Sequence, residues 1–154
     1  MILEQDRKAE SEFNDLFKEA LEEEKPWFYM AHDLAKQNSS GKIWVIGGFV
    51  YRSIIKKLYG VPLPGEKDVD FMIERIPEGG KLNIEGWEHK ITAYGNLELS
   101  LGDLRVSLNL LPSFHSILTR NVGPTIDNFL TGTPTDIQSI CYSFDDEKLI
   151  GPLG

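Results

Sequence analysis

The chain has 154 residues, enough for one compact unit with a buried core. Apolar residues make up 41% of it and charged residues 26%, which excludes disordered, collagen-like and purely coiled-coil proteins. The net charge of −8 argues against a protein whose main task is to cover a nucleic-acid backbone. The acidic residues are concentrated in residues 1–25, which contain nine acidic and four basic residues.

Cysteine usage and the N-terminal residues indicate the compartment. The one cysteine, Cys141, cannot form an intramolecular disulfide, and the first ten residues are charged where a signal peptide is apolar. No apolar run approaches the ~18–20 residues that cross a bilayer. We therefore expect a cytoplasmic protein without a membrane segment.

The first predicted elements are helical. Apolar residues recur every three or four positions through residues 9–37, and Pro26 predicts a break into two helices. The acidic face of the first helix is interpreted as solvated surface, with the docking of a helical protein partner as the alternative. Residues 1–40 are taken as an N-terminal helical segment and residues 41–154 as a mixed-sheet core, together forming a single domain.

A strand, a turn and a helix follow in short order. Residues 43–46 are an apolar run typical of a buried strand, and Gly47 and Gly48 end it. Residues 49–58 then return to helical spacing before Gly60 closes the helix.

The remaining chain is predicted to be mostly strands. A second strand is expected over residues 68–74, and further strands over residues 89–93, 97–101 and 104–110, with a turn at Gly102 and Asp103. Two short helices, one capped by Ser113 and one with Pro124 in its first turn, and a hairpin within residues 136–150 complete the order. This order predicts an α+β (mixed α/β) fold, a mixed sheet flanked by helices.

Two carboxylates lie two residues apart on the second predicted strand. Because side chains alternate along a strand, Asp68 and Asp70 share one face while Val69 and Phe71 point into the core. Two carboxylates on one face repel each other, and a cation relieves that repulsion. Oxygen ligands favour Mg²⁺ or Mn²⁺, with a substrate phosphate completing the coordination.

The Gly47-Gly48 turn supplies a place for that phosphate. Glycine lets an anion approach the backbone, and the first N–H groups of a helix attract negative charge. Arg52, one turn into the helix, and Lys56, one turn further, add positive charge. Taken singly, the turn is a common strand-to-helix connection and the aspartates are common surface residues, so the prediction depends on their combination.

The segment 43–74 resembles the signature of the nucleotidyltransferase superfamily, in particular the branch of bacterial poly(A) polymerases and tRNA CCA-adding enzymes. Here it reads IWVIGGFVYRSIIKKLYG and then GEKDVDFMIE, and the family pattern is GG-x-V-R-D-x-L-L-G followed by K-D-x-D. The tail DIQSICYSFDDEKLIGPLG is similar to the branch's T-I-N-A-L-A-Y segment and its hairpin. The resemblance implies a nucleotidyltransferase-like mixed sheet and Mg²⁺-dependent transfer of a nucleoside monophosphate from a nucleoside triphosphate such as ATP. It also implies that Gly47 and Gly48 hold the triphosphate and that Asp68 and Asp70 hold the metal.

Three departures from the family pattern define the alternatives. Val50 is followed by Tyr51 and Arg52, so the arginine is displaced by one position and the acid after it is absent. The third metal carboxylate of the family falls on Ser107, or on Asn109 if the register slips by two. The sequence ends where the family continues into helical domains that grip RNA, so we expect a long nucleic-acid acceptor only where a partner presents it.

Two functions of different classes follow. The leading interpretation is an enzyme, a nucleotidyltransferase acting on a small molecule, a protein or an RNA end. The alternative is a catalytically weakened binding module, or one subunit of a split enzyme, because Ser107 and Asn109 carry no charge. Glu98 and Asp103 are the nearby acids that can replace the missing carboxylate, although Asp103 is more typical of a turn.

Overall fold

The computed structural model describes residues 4–60, 67–93, 95–133 and 140–151, with the side chains described from residue 11 onward. Most of the loop predicted at residues 61–67 lies outside these ranges, as do residues 136–139 of the predicted last hairpin.

The N-terminal segment forms two helices, α1 (Glu4–Glu23) and α2 (Lys25–Gln37). Pro26 lies in the first turn of α2, where a missing N–H costs nothing, so the predicted break is confirmed. Asn38 ends the segment: its side-chain amide donates to the Leu34 carbonyl, and its Oδ1 accepts from the Asn83 backbone N–H.

The strand, turn and helix predicted next are also confirmed. Strand β1 (Ile43–Ile46) is buried throughout, and α3 (Gly48–Tyr59) ends at Gly60 in the left-handed conformation that favours glycine. Strand β2 (Asp68–Ile73) follows.

The rest of the described chain supplies β3 (Glu88–Ile91), β4 (Leu97–Leu101), β5 (Leu104–Leu110), α4 (His115–Arg120), α5 (Ile126–Thr131), β6 (Cys141–Ser143) and β7 (Lys148–Ile150). Within the described residues the strands form one seven-stranded sheet in the order β3-β4-β5-β2-β1-β6-β7. The β2–β5 pair is parallel and the other neighbouring pairs are antiparallel. The predicted α+β fold with a mixed sheet flanked by helices is therefore confirmed.

The two faces of the sheet carry different cores. One face packs against α1, α2 and α3 through a large cluster that includes Phe17, Phe28, Phe49 and Phe71. The rings of Phe28 and Phe49 are stacked with centroids 5.4 Å apart, a contact that ties α2 to α3. The other face carries a smaller cluster, in which α4 and α5 cover part of β1, β2 and β6.

Two details of the predicted short helices are wrong. Ser113 does not cap α4, because it lies in the 3-10 turn Leu111–Ser113 and Phe114 takes the cap position. Pro124 precedes α5, whose cap is Thr125, and the Thr125 hydroxyl accepts from the Asn128 backbone N–H. No helix in the described part of the chain has both the length and the apolar character that a membrane span requires.

Candidate functional site

The Gly-Gly turn lies directly against one aspartate. Ile46, the last residue of β1, pairs with Asp70 on β2, so the chain turns into α3 beside that carboxylate. Gly47 has φ 75° and ψ −154°, a backbone region populated almost only by glycine. A Cβ at this position would lie 3.0 Å from Oδ2 of Asp70. The turn and the carboxylate therefore form one site.

Arg52 joins the start of α3 to strand β2. Its Nη2 donates to the backbone carbonyl of Asp68 at 3.4 Å, and its Nη1 would lie 3.0 Å from a Cβ built on Gly48. The structure thus brings together five residues singled out from the sequence, and we call them the candidate site. They are Gly47, Gly48, Arg52, Asp68 and Asp70.

The two aspartates share one face of β2, as predicted. Val69, which lies between them, and Phe71, which follows Asp70, are buried in the core on the other face. Burial, together with the negative charge of Asp68, raises the pKa of Asp70 to about 6. The Arg52 guanidinium opposes this shift, and the more distant Glu98 adds to it. Asp70 is thus costly to ionise in the folded protein without more positive charge.

A row of side chains crosses the sheet from Asp70. In the parallel β2–β5 pair Asp70 is opposite Ser107, and in the β4–β5 pair Ser107 is opposite Glu98. Of the two residues considered for a third carboxylate position, Ser107 and not Asn109 is therefore the one opposite Asp70, and it carries a hydroxyl.

Neither of the two nearby acids, Asp103 and Glu98, supplies a third carboxylate beside Asp68 and Asp70. Asp103 lies in the turn between β4 and β5, and its Oδ2 pairs with Nζ of Lys67 at 3.4 Å. Glu98 lies one strand beyond Ser107, and its Oε1 is 3.7 Å from Nζ of Lys90. Among the described residues no group of three or more His, Cys, Asp or Glu side chains is placed to hold a metal ion.

Lys56 forms an ion pair with a residue outside the candidate site. Its Nζ pairs with Oε1 of Glu24 at 3.3 Å, where α1 meets α2. Lys57 pairs with Glu19 and Glu23 of α1 at 3.4 and 2.6 Å. The acidic N-terminal helix therefore neutralises the basic end of α3, while Arg52 at the other end remains beside Asp68 and Asp70.

One hydrogen-bonded pair beside the site could not be foreseen from local sequence patterns. Asn109 is buried, and its Nδ2 donates to Oγ of Ser107 at 3.1 Å and to the Phe71 carbonyl at 3.0 Å. Strand alternation places Ser107 and Asn109 on one face, but only the β2–β5 pairing shows that this face adjoins Asp70.

The residues of the candidate site fit a divalent cation with a bound polyphosphate. Mg²⁺ is usually held by one or two carboxylates together with substrate phosphates, and Asp68 and Asp70 provide two oxygen ligands on one face. The glycine turn leaves the space beside Asp70 that a side chain would fill. The start of α3 favours an anion in that space.

No family model matches the sequence, and no curated protein matches it. The chain is similar to a solved structure of a tRNA nucleotidyltransferase complexed with a primer tRNA and an incoming ATP analog, at 20% identity over 73% of this chain and 32% of that one, with a TM-score of 0.48. It is also similar to a tRNA-processing enzyme with CTP (18% identity, 71% and 28%, TM-score 0.44) and to an apo form of a tRNA-processing enzyme (15%, 98% and 33%, TM-score 0.46). The chain spans about a third of the length of these proteins.

Proposed function

We propose that this protein is a metal-dependent nucleotidyltransferase, which binds a nucleoside triphosphate at the candidate site and transfers its nucleoside monophosphate to an acceptor. The observation that carries the proposal is the contact between the turn and the carboxylate. Gly47 adopts a backbone conformation almost restricted to glycine, and its α-carbon faces the Asp70 carboxylate. An anion-binding turn and a cation-binding pair of acids in contact are what a metal–triphosphate complex requires.

The residues of the turn and of α3 bind the triphosphate. The backbone N–H groups at Gly47 and Gly48 face the phosphates, with the positive end of the α3 dipole behind them. Arg52 supplies a cation beside the same end of the helix. Lys56 has a smaller part in this proposal, because its charge is shared with Glu24.

Asp68 and Asp70 hold Mg²⁺ or Mn²⁺, which when bound neutralises charge on the phosphates. In the transfer an acceptor oxygen forms a bond to the α-phosphorus, the bond from that phosphorus to the bridging oxygen breaks, and pyrophosphate leaves. The acceptor proton passes to solvent. The acceptor classes of this proposal are a small molecule, a protein or an RNA end, with a long RNA held by a partner, and the location is the cytoplasm.

A specific observation favours a second candidate, nucleotide binding without transfer. Ser107 stands beside Asp70 where the family resemblance implies a carboxylate, and a general base typically contributes 10²–10⁴-fold to a rate. A protein of this kind would act as a binding module or as the nucleotide-binding subunit of a split enzyme with a helical partner.

Calorimetry with each of the four nucleoside triphosphates, with and without Mg²⁺ or Mn²⁺, tests the proposal. We expect binding that requires the metal and that is lost in Asp68→Asn and Asp70→Asn. Asp103→Asn is the matched control, because it removes the same charge in the β4–β5 turn. Pyrophosphate release on the same samples, measured after small-molecule, protein and RNA-end acceptors have been added, then separates the two candidates. Failure of every triphosphate to bind with either metal would overturn both.

A further inference from the structure

The hydroxyl of Ser107 is held in a fixed orientation by Asn109. Asn109 is 4% exposed, and its Nδ2 donates one hydrogen to the Phe71 carbonyl and the other to Oγ of Ser107. The carbonyl accepts only, so the amide nitrogen of Asn109, and not its oxygen, faces both partners. The chemistry of the two contacts thus fixes which way the amide is turned.

This arrangement determines what Ser107 offers to the site. Its oxygen accepts a hydrogen bond from Asn109, and a hydroxyl that accepts in this way keeps its own O–H to donate. A donor hydrogen suits a phosphate oxygen or an acceptor oxygen. Asn109 occupies one of the two lone pairs of the Ser107 oxygen, and a neutral hydroxyl is a weaker ligand for Mg²⁺ than a carboxylate.

Two-metal sites place two cations about 3.5–4 Å apart, and oxygen ligands must be shared between them. Here the strand beside Asp70 contributes Ser107, the next acid along the row is Glu98, and Glu98 is paired with Lys90. The donor set in the described part of the chain is therefore Asp68 and Asp70, with no third acid close enough to join them.

We infer that the candidate site holds one divalent cation, and not two, together with the triphosphate. In this arrangement Ser107, oriented by Asn109, donates a hydrogen bond to the bound phosphates from the position that a third metal ligand would occupy. Asn109 is a positioning residue in this arrangement. The inference rests on the proposed function, because it concerns the metal content of the same site.

The number of bound cations is the direct test. The probe is Mn²⁺, counted by the electron paramagnetic resonance signal of the free ion. The nucleotides are analogues of the four nucleoside triphosphates with a methylene group between the α- and β-phosphorus, which cannot release pyrophosphate. We expect one Mn²⁺ per bound nucleotide in the wild-type protein. Two Mn²⁺ per nucleotide would overturn the inference while leaving the proposed function intact, and failure of all four analogues to bind would overturn both.

A carboxylate introduced at position 107 provides the converse test. In Ser107→Asp the Nδ2 of Asn109 still has an oxygen to donate to, so the substitution leaves that amide paired. We expect this variant to bind a second Mn²⁺ at least about tenfold more tightly than the wild type. The matched control is Ser100→Asp, which adds the same charge in the next row of the sheet, opposite Arg105 and two strands from Asp68.

The position of the added charge distinguishes these variants. A second Mn²⁺ in Ser107→Asp and not in Ser100→Asp supports the inference. An equal gain in both would mean that extra charge anywhere on this face suffices, which overturns the part assigned to Ser107. If Ser107→Asp does not fold, the stoichiometry of the wild-type protein still decides the matter.

Discussion

The α-carbon of Gly47 faces the carboxylate of Asp70 so closely that a methyl group on it would lie 3.0 Å from Oδ2. The two residues belong to different elements, the turn after β1 and the middle of β2, and the antiparallel pairing of Ile46 with Asp70 brings them together. Any change at Gly47 therefore acts on the backbone of the turn and on the carboxylate at once.

Gly47→Ala is expected to abolish triphosphate binding and to lower the free energy of unfolding by about 1–3 kcal/mol, the cost of a strained backbone conformation. Two causes add: the conformation at φ 75° and ψ −154° excludes a side chain, and the new methyl group crowds Asp70. Calorimetry and urea unfolding measure the two effects.

Gly60→Ala is the control for Gly47→Ala. Gly60 also has a positive φ, 62°, but a Cβ there meets nothing within 4 Å. We expect a cost of about 1 kcal/mol in stability with unchanged triphosphate affinity. Equal loss of binding in both variants would show that the turn acts only through overall stability.

Asp70 is expected to make stability fall as the pH rises. Its pKa of about 6 in the folded protein exceeds the ordinary value of 3.8, so the folded state holds the proton more tightly than the unfolded state. The stability that this proton provides is present below pH 4 and is lost between about pH 4 and 6. Above pH 6, Asp70→Asn should therefore be more stable than the wild type by up to about 3 kcal/mol, measured by urea unfolding.

His32 is expected to give stability the opposite dependence on pH, over a pH range that overlaps that of Asp70. Burial lowers its pKa from 6.5 to about 4, and its ring is stacked on Phe144 with centroids 3.8 Å apart. The unfolded state takes up this proton first, so stability is lost as the pH falls from about 6.5 to 4. In His32→Phe the pH dependence of stability should be the one that Asp70 causes. In Asp70→Asn it should be the one that His32 causes. Parallel pH profiles in the two variants would contradict both assignments.

Arg52→Gln is expected to weaken triphosphate binding about tenfold or more, because a charge-assisted contact is removed at the start of α3. It should also raise the pKa of Asp70 further, since the guanidinium charge holds it down. Lys57→Gln is the control on the same helix, where the lost charge pairs with Glu19 and Glu23. Calorimetry should show unchanged affinity in the control.

Asn14→Ala is expected to loosen the β7 edge of the sheet. The Asn14 Oδ1 on α1 accepts from the Leu149 backbone N–H at 2.6 Å, and a typical hydrogen bond contributes about 1 kcal/mol to stability. Amide hydrogen exchange at Leu149 should accelerate. Asp15→Ala, an exposed neighbour with a similar gain in helix propensity, should leave that amide protected.

The elements around the turn could be predicted from the sequence because their signals are local. An apolar run, two glycines, a 3.6-residue period and a closing glycine lie within residues 43–60, and strand alternation by itself places Asp68 and Asp70 on one face. The ends of α4 and α5 were misplaced because several residues there can serve as caps. Only the packed chain selects Phe114 over Ser113 as the cap of α4, and only the packed chain begins α5 after Thr125, which leaves Pro124 outside its first turn.

The sequence by itself singled out the residues that form the candidate site, because a turn of two glycines and a D-x-D strand are patterns of near neighbours. The tertiary structure decided which side chains surround them. The parallel pairing of β2 with β5 sets Ser107 beside Asp70, the burial of Asp70 raises its pKa, and Lys56 turns to Glu24 because α1 packs on α3. These contacts join residues up to 37 positions apart, and no local periodicity specifies strand order or helix docking.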